Sequence, residues 1–399
     1  MKNITPIVTL LVCATFLNGC SNKKNVKGTF GYDLEYLNKH KKTIVLKSNN
    51  DLCQISVVAD YQGRVMTSTS NGMNGKSYGW INYDLIAANK FEEHINAFGG
   101  EDRFWLGPEG GQFSIFFRKG DDFTLKNWFT PKEIDTEAFT LVHSNDTVAH
   151  FTRKMNLQNY SGTVFDIEIE RNVSIFSKPN IEKNLDIALG DKIQFVGYQS
   201  ENTMKNSGSE AWSKQQGLLS IWILGMFLPS ESTTVIVPYK DSLALNTSYF
   251  GEIGPDRLQI VDNTVLFKGD GKYRSKIGLP PQNVLPKFGS YDSDEKILTV
   301  IEYSFSGDST YVNSLWKLQE NPYGGDVINS YNDGPLEDGS QLGPFYELES
   351  SSPAKELKQN ESIKHIHKTY HFEGDFEALN AISKKVLGFD LTKLGHQKK

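Results

Sequence analysis

Cysteine is nearly missing: three in 399 residues. Cys13 lies in an apolar N-terminal run, Cys20 closes that run, and Cys53 is left without an intramolecular partner, so a disulfide framework is excluded. Cys53 falls in the strand-like run Cys53–Ala59, where a buried, inert thiol is expected. Histidine is scarce as well, eight in all, and no HExxH pattern, Walker loop or GxSxG elbow occurs. Nucleotide-dependent and hydride-transfer folds therefore have no support, and neither a cofactor nor a metal is expected. Basic residues are not in excess, with 42 Lys and Arg against 48 Asp and Glu, and no basic cluster interleaves with aromatics. Nucleic acid is accordingly excluded as a partner. After the N-terminus no apolar stretch approaches 18 residues, so no further membrane span is expected.

What is present begins with a targeting segment. Lys2 precedes an apolar run, Ile4–Phe16, too short for a permanent span. It ends in Leu17-Asn18-Gly19-Cys20, which resembles the bacterial lipobox. The resemblance implies that residues 1–19 are a lipoprotein signal peptide, that Cys20 is lipidated, and that residues 20–28 are a polar tether. Ser21, rather than aspartate, follows the cysteine, and no acidic run comes after it. The expectation is an outer-membrane lipoprotein facing the periplasm, attached to the membrane through its lipid.

Period-2 alternation dominates the rest. Thr43–Lys47, Cys53–Ala59 and Arg64–Thr69 read as strands, and Phe139–His143 with Thr147–Met155 as a hairpin. In Val164–Ile175, Phe165, Ile167 and Ile169 alternate with Asp166, Glu168 and Glu170, so one face is apolar and the other acidic. Ile193–Ser200, Gly217–Phe227, Thr233–Pro238, Leu258–Lys268, Ile297–Ser306, Phe345–Glu349 and Ser362–Phe372 continue the series. Tyr83–Phe91 fits a short helix. A late helix is capped by Asp375, carries Phe376, Leu379, Ile382 and Val386 on one face, and stops at Gly388. The pattern predicts one all-β domain over residues 29–389, a large antiparallel sandwich with a short C-terminal helix, followed by a polar tail at 390–399.

Three stretches could carry chemistry. Ala97–Arg118 packs five glycines, Glu101, Asp102, Arg103, Trp105, Pro108 and Glu109 ahead of a strand-like run, Gln112–Arg118. Charges beside aromatic faces suit a sugar pocket, and a structural corner with Arg103 locally paired fits equally. Trp222 sits in the aliphatic run Gly217–Phe227, where core packing is the simpler role. Lys317–Gly334 gathers amides and carboxylates, including Asn332 and Asp333, around Gly324-Gly325 and reads as a turn-forming loop or a rim for hydroxyl groups. His365, His367 and His371 share one strand face, which suits a metal patch less well than a solvated face or polar interface.

Tyr346–Phe372 is similar to the end of the galactose mutarotase-like (aldose 1-epimerase-like) superfamily. Leu348-Glu349-Ser350-Ser351 stands where that superfamily has a Leu-Glu-Thr-Gln strand. Pro353, the turn Leu357–Glu361 and Thr369-Tyr370-His371-Phe372 follow in the matching order. Gly99–Glu109 also resembles a Gly-Gly-x-x-Arg-x-Trp-x-x-Pro-Glu segment of relatives in the superfamily. The resemblance implies a β-supersandwich with a concave carbohydrate-binding face. It makes Glu349 the general base and Arg103 the sugar-contacting arginine. Glu109 or Asp102 would be a second carboxylate. Trp105, Trp222, Lys317, Asn332 and Asp333 complete the expected binding positions. Mutarotases also use a mid-chain histidine as acid, but Glu201–Phe227 contains none. Lys214, Lys317 or a carboxyl of raised pKa would have to supply that proton. The expectation is a carbohydrate-active lipoprotein with epimerase- or mutarotase-like acid/base chemistry, against two alternatives: a non-catalytic glycan-binding lipoprotein, or an envelope scaffold with a vestigial cleft.

Overall fold

Strand-forming residues are spread along the whole chain, and strands are its main regular structure. The computed structural model describes residues 26–395. The expected signal peptide and the expected lipidation site, Cys20, lie outside that range. In chain order the first strands are β1 (Thr43–Ser48), β2 (Cys53–Val58), β3 (Arg64–Thr69) and β4 (Arg103–Gly107). Next come β5 (Thr140–Ser144), β6 (Val148–Gln158), β7 (Val164–Ile175), β8 (Gln194–Asn206), β9 (Ser220–Phe227) and β10 (Thr234–Pro238). The remainder are β11 (Leu258–Val261), β12 (Thr264–Lys268), β13 (Ser275–Leu279), β14 (Lys287–Asp292), β15 (Ile297–Tyr303), β16 (Ile328–Asn332), β17 (Tyr346–Ser351) and β18 (Ser362–Glu373). Helices are short: α1 (Phe30–His40), α2 (Tyr83–Ala88), α3 (Lys132–Asp135), α4 (Lys178–Leu185) and α5 (Phe376–Val386).

Three antiparallel sheets result. A ten-stranded sheet runs β11-β12-β10-β14-β15-β18-β8-β7-β6-β5, a five-stranded sheet runs β13-β16-β17-β9-β4, and β1-β2-β3 form the third. Alternation along β7 buries Phe165, Ile167, Ile169 and Val173, while Asp166 and Glu170 stay exposed and Glu168 meets Lys205 at 2.8 Å. The acidic stripe is thus the outer face of the large sheet. The five-stranded sheet turns Phe104, Leu106, Ile221, Ile223 and Leu348 inward. Asp375 caps α5 by accepting from Ala378 N, and Gly388 follows it at φ 67°.

The seam between the two large sheets is unusually polar. His365, His367 and His371 are all buried there, rather than forming a solvated face. His365 Nε2 and His367 Nδ1 each lie 2.8 Å from Ser350 Oγ, and His371 Nε2 lies 2.9 Å from Glu101 Oε2. Burial pushes His365 down to about 3 and His367 down to about 4, so both are neutral.

Several local expectations change. Gln112–Arg118 forms no strand: Ile115, Phe116 and Phe117 are buried in succession, and bonds from Ser114 N to Gly111 O and Ile115 N to Pro108 O fold the run into turns. The loop read at Lys317–Gly334 contains β16, the second strand of the five-stranded sheet. Leu391, in the run read as a polar tail, is buried in the core. Helix α1 carries little apolar periodicity, yet Phe30 and Leu37 are fully buried.

Candidate active-site cleft

The outward face of the five-stranded sheet is concave and open. Period-2 geometry sends Arg103 and Trp105 from β4 to this face, with Trp222, Leu224 and Met226 from β9, Glu347 from β17, Tyr331 from β16 and Lys276 from β13. Loops raise walls around them, and the cleft encloses about 810 Å³, within the size range of small-molecule sites. Gly99 makes the entry to β4 feasible. Its φ is 91°, and a Cβ there would lie 2.0 Å from the Trp80 carbonyl oxygen.

At the floor, Glu349 Oε2 accepts from Trp222 Nε1 at 2.9 Å and from Lys276 Nζ at 3.0 Å. Among the described residues Glu349 Oε1 is buried without a donor. Burial works against the charge on Lys276, but Glu349, Glu109 and Glu347 hold its ammonium above the ordinary lysine value. Glu347 lies two residues before Glu349 on the same face. Burial first, and the adjacent Glu349 second, push its carboxyl well above the usual carboxylate range. Glu109 is also raised, chiefly by burial, although Lys276 and the Trp316 indole oppose the shift. Trp316 Nε1 donates to Glu109 Oε1 at 3.1 Å.

The walls are aromatic. Trp128 and Trp316 stack at 5.7 Å, and Trp105 meets Trp222 edge-on at 5.4 Å. Arg103 packs 4.4 Å over the Trp105 ring and donates to Asp135 Oδ1 on α3 at 2.7 Å. Its Nε and Nη1 have no partner among the described residues. Arg274 lies 4.0 Å over the Phe250 ring at the opposite side.

The structure brings Arg103, Trp105, Glu109, Trp222 and Asp333 to the cleft lining, with Glu349 fully buried behind it. Asp333 accepts from the Tyr331 hydroxyl at 2.6 Å and from Gly343 N at 2.9 Å. Three expected positions are elsewhere. Asp102 faces the inter-sheet seam, where Arg171 Nη2 donates to its Oδ1 at 2.6 Å, because β4 alternation turns it away from Arg103. Asn332 points inward and ties the 270–273 turn to β16 through Gly271 N, Asp270 and the Tyr273 carbonyl. Lys317 is exposed and outside the lining. Sequence reading missed Lys276, Asp135, Trp128, Trp316 and Glu347. Only Glu347 carried a signal: it is the i−2 neighbour of Glu349 on a strand.

The fold and cleft define a class: a mostly β, antiparallel sandwich with a concave face and a C-terminal helix. Its fold is like that of the Slr1438 protein from Synechocystis sp. PCC 6803, at TM-score 0.50 and 11% identity, over 84% of this chain and 96% of that one. A galactose mutarotase-like protein from Lactobacillus casei matches at TM-score 0.46 and 11% identity, over 83% of this chain and 100% of that one. A galactose mutarotase related enzyme from Lactobacillus acidophilus matches at TM-score 0.45 and 11% identity, over 84% and 99% of the two chains. Likenesses this remote speak to fold alone. The chain belongs to DUF6786, a family of unknown function, whose model matches residues 28–398. No curated protein matches it.

Proposed function

We propose that this protein binds a sugar or glycoside in the concave cleft and acts on it by acid/base chemistry of the mutarotase type. The observation that carries this reading is the floor cluster, with Glu349 clamped by Trp222 and Lys276 beside Glu347, beneath tryptophan walls. Tryptophan faces suit the apolar faces of a pyranose, and the carboxyl, ammonium and guanidinium groups suit its hydroxyls. In this scheme Arg103, held by Asp135, anchors the sugar. Glu349 Oε1, the carboxylate oxygen left without a donor, accepts the proton of the anomeric hydroxyl. The ring then opens and recloses on either face.

A second reading, a non-catalytic glycan-binding protein, is favoured by the complete burial of Glu349. One experiment separates the two. Anomer exchange of a panel of free sugars, starting with D-galactose and D-glucose, is followed by NMR for the wild type and Glu349→Gln. Catalysis lost in the variant supports the base role. Wild-type binding without exchange favours the binding protein, and wild-type rates in the variant exclude Glu349 as base.

We place the protein at the outer membrane, on its periplasmic side and anchored through lipidated Cys20, on the strength of the lipobox-like Leu17–Cys20. Mass spectrometry of the mature N-terminus tests this: an unmodified Cys20, or an uncleaved leader, contradicts it.

A further inference from the structure

The mutarotase-type scheme leaves one proton without a source, since the mid-chain segment holds no histidine. We propose that Glu347 is the proton donor of the cleft, and that Glu347 and Glu349 form an unequal pair sharing one proton. This rests on the reading of the cleft as a sugar site and goes beyond it by assigning the acid.

The argument is geometric. Residues two apart on a strand face the same way with backbones about 6.6 Å apart, so β17 presents both carboxyls to one side of the sheet. The two positions are not equivalent. Glu349 receives both strong donors, the Trp222 indole and the Lys276 ammonium. Glu347 instead borders the open cleft, where Glu349 does not. The other charges facing Glu347 are Lys276 from β13 and Arg103 from β4. Lys276 is bonded to Glu349, and Arg103 to Asp135. Two adjacent carboxylates in so dry a site cannot both ionise cheaply.

A second observation points the same way. Among the described residues, Glu349 Oε1 is a buried acceptor with no donor, an arrangement that is costly if left unmet. Besides Trp222 and Lys276, which bond Oε2, the Glu347 carboxyl is in hydrogen-bond reach of Glu349. A proton on Glu347 supplies the missing donor. The raised carboxyl of Glu347 agrees with this placement.

The step balances without any co-reactant. Glu347 gives its proton to the ring oxygen, and the bond between that oxygen and the anomeric carbon breaks onto the oxygen. Glu349, behind the lining, takes the anomeric hydroxyl proton by relay through the now ionised Glu347, and the freed O–H pair becomes the carbonyl of the open-chain aldehyde. Rotation about the adjacent carbon–carbon bond and the reverse transfers give the other anomer.

The test uses the full chain, with wild type, Glu347→Gln, Glu347→Asp and Glu349→Gln. Anomer exchange of D-galactose and D-glucose is measured against pH, and infrared spectra at pH 7 report protonated carboxyls. Glu347→Gln is expected to lose one protonated-carboxyl band component and about 100-fold or more in kcat with little change in KM, and Glu347→Asp to recover part of that loss. The high-pH limb of the wild-type rate profile should vanish in Glu347→Gln. Exchange at the wild-type rate in Glu347→Gln, or an unchanged carboxyl band, overturns the assignment while leaving the sugar reading intact. A wild type that exchanges neither sugar removes the donor role together with the mutarotase-type reading.

Discussion

Lys276 Nζ and Glu349 Oε2 lie 3.0 Å apart across β16, linking two strands of the cleft floor that do not pair with each other. Their side chains are 9% and 0% exposed, so this is a buried ion pair rather than a surface one. Breaking such a pair strands a charge. Lys276→Met is expected to destabilise the protein by about 3–5 kcal/mol in urea unfolding. Adding Glu349→Gln should return most of that loss, because the stranded carboxylate is then gone. Equal stability of Lys276→Met and wild type would show that the pair contributes nothing to the fold.

Asp102 and Arg171 form a second buried pair, set in the inter-sheet seam, where Arg171 also donates to Asn202 Oδ1 at 2.6 Å and to the Gly63 carbonyl at 3.1 Å. Asp102→Asn is therefore expected to cost about 3 kcal/mol of stability and to leave sugar affinity and turnover unchanged at temperatures where the variant is folded. A selective loss of activity with intact stability would return Asp102 to the site.

The buried histidines predict an acid sensitivity of defined sign. Below the ordinary histidine value near 6.5, the unfolded chain takes up protons at His365 and His367. The folded chain does not until about 3 and about 4 respectively, because burial holds both neutral. Their contribution to stability is thus full above 6.5 and falls as pH drops toward 4, each by up to about 1.4 kcal/mol per pH unit. Raised carboxyls such as Glu347 and Glu109 work in the opposite direction over this window, so the comparison must be between variants. Urea midpoints from pH 7 to pH 4 should fall less steeply in His365→Gln than in wild type, and parallel curves would contradict the assignment.

The sheets were legible because their alternation is strong. Val164–Ile175 is read from sequence with the same bounds that β7 has, and α5 begins at its expected Asp375 cap. β16 was hidden because Asn329, Ser330 and Asn332 occupy it, and the polar partners that make a polar strand tolerable come from distant segments. β13 gave no sign of itself for a related reason: Lys276 and Gly278 interrupt a run of five residues. The loss of Lys276 from the reading followed directly. Asp102 and Arg103, neighbours in a glycine-rich segment, were both expected at the site, and only the register of β4 against β9, with Arg103 opposite Leu224, separates cleft from seam. The aromatic wall came from residues 128 and 316, whose proximity no local pattern encodes.

Trp316 is the wall residue whose two functions can be separated. Its ring stacks on Trp128, which lies parallel to Phe116 at an interplanar angle of 5°, and its indole N–H holds Glu109 Oε1. Trp316→Phe keeps a ring and removes the donor that lowers Glu109, so Glu109 should titrate higher still. Trp316→Ala removes the face as well. An aromatic face contributes about 0.5–1.5 kcal/mol beyond its burial, which corresponds to roughly tenfold in affinity at the upper end. Sugar titrations followed by tryptophan fluorescence should therefore rank wild type, Trp316→Phe and Trp316→Ala in that order of affinity, with about tenfold between the extremes. Equal affinity in Trp316→Ala would mean that the ligand rests elsewhere, on Trp105 and Trp222 at the floor rather than on the wall.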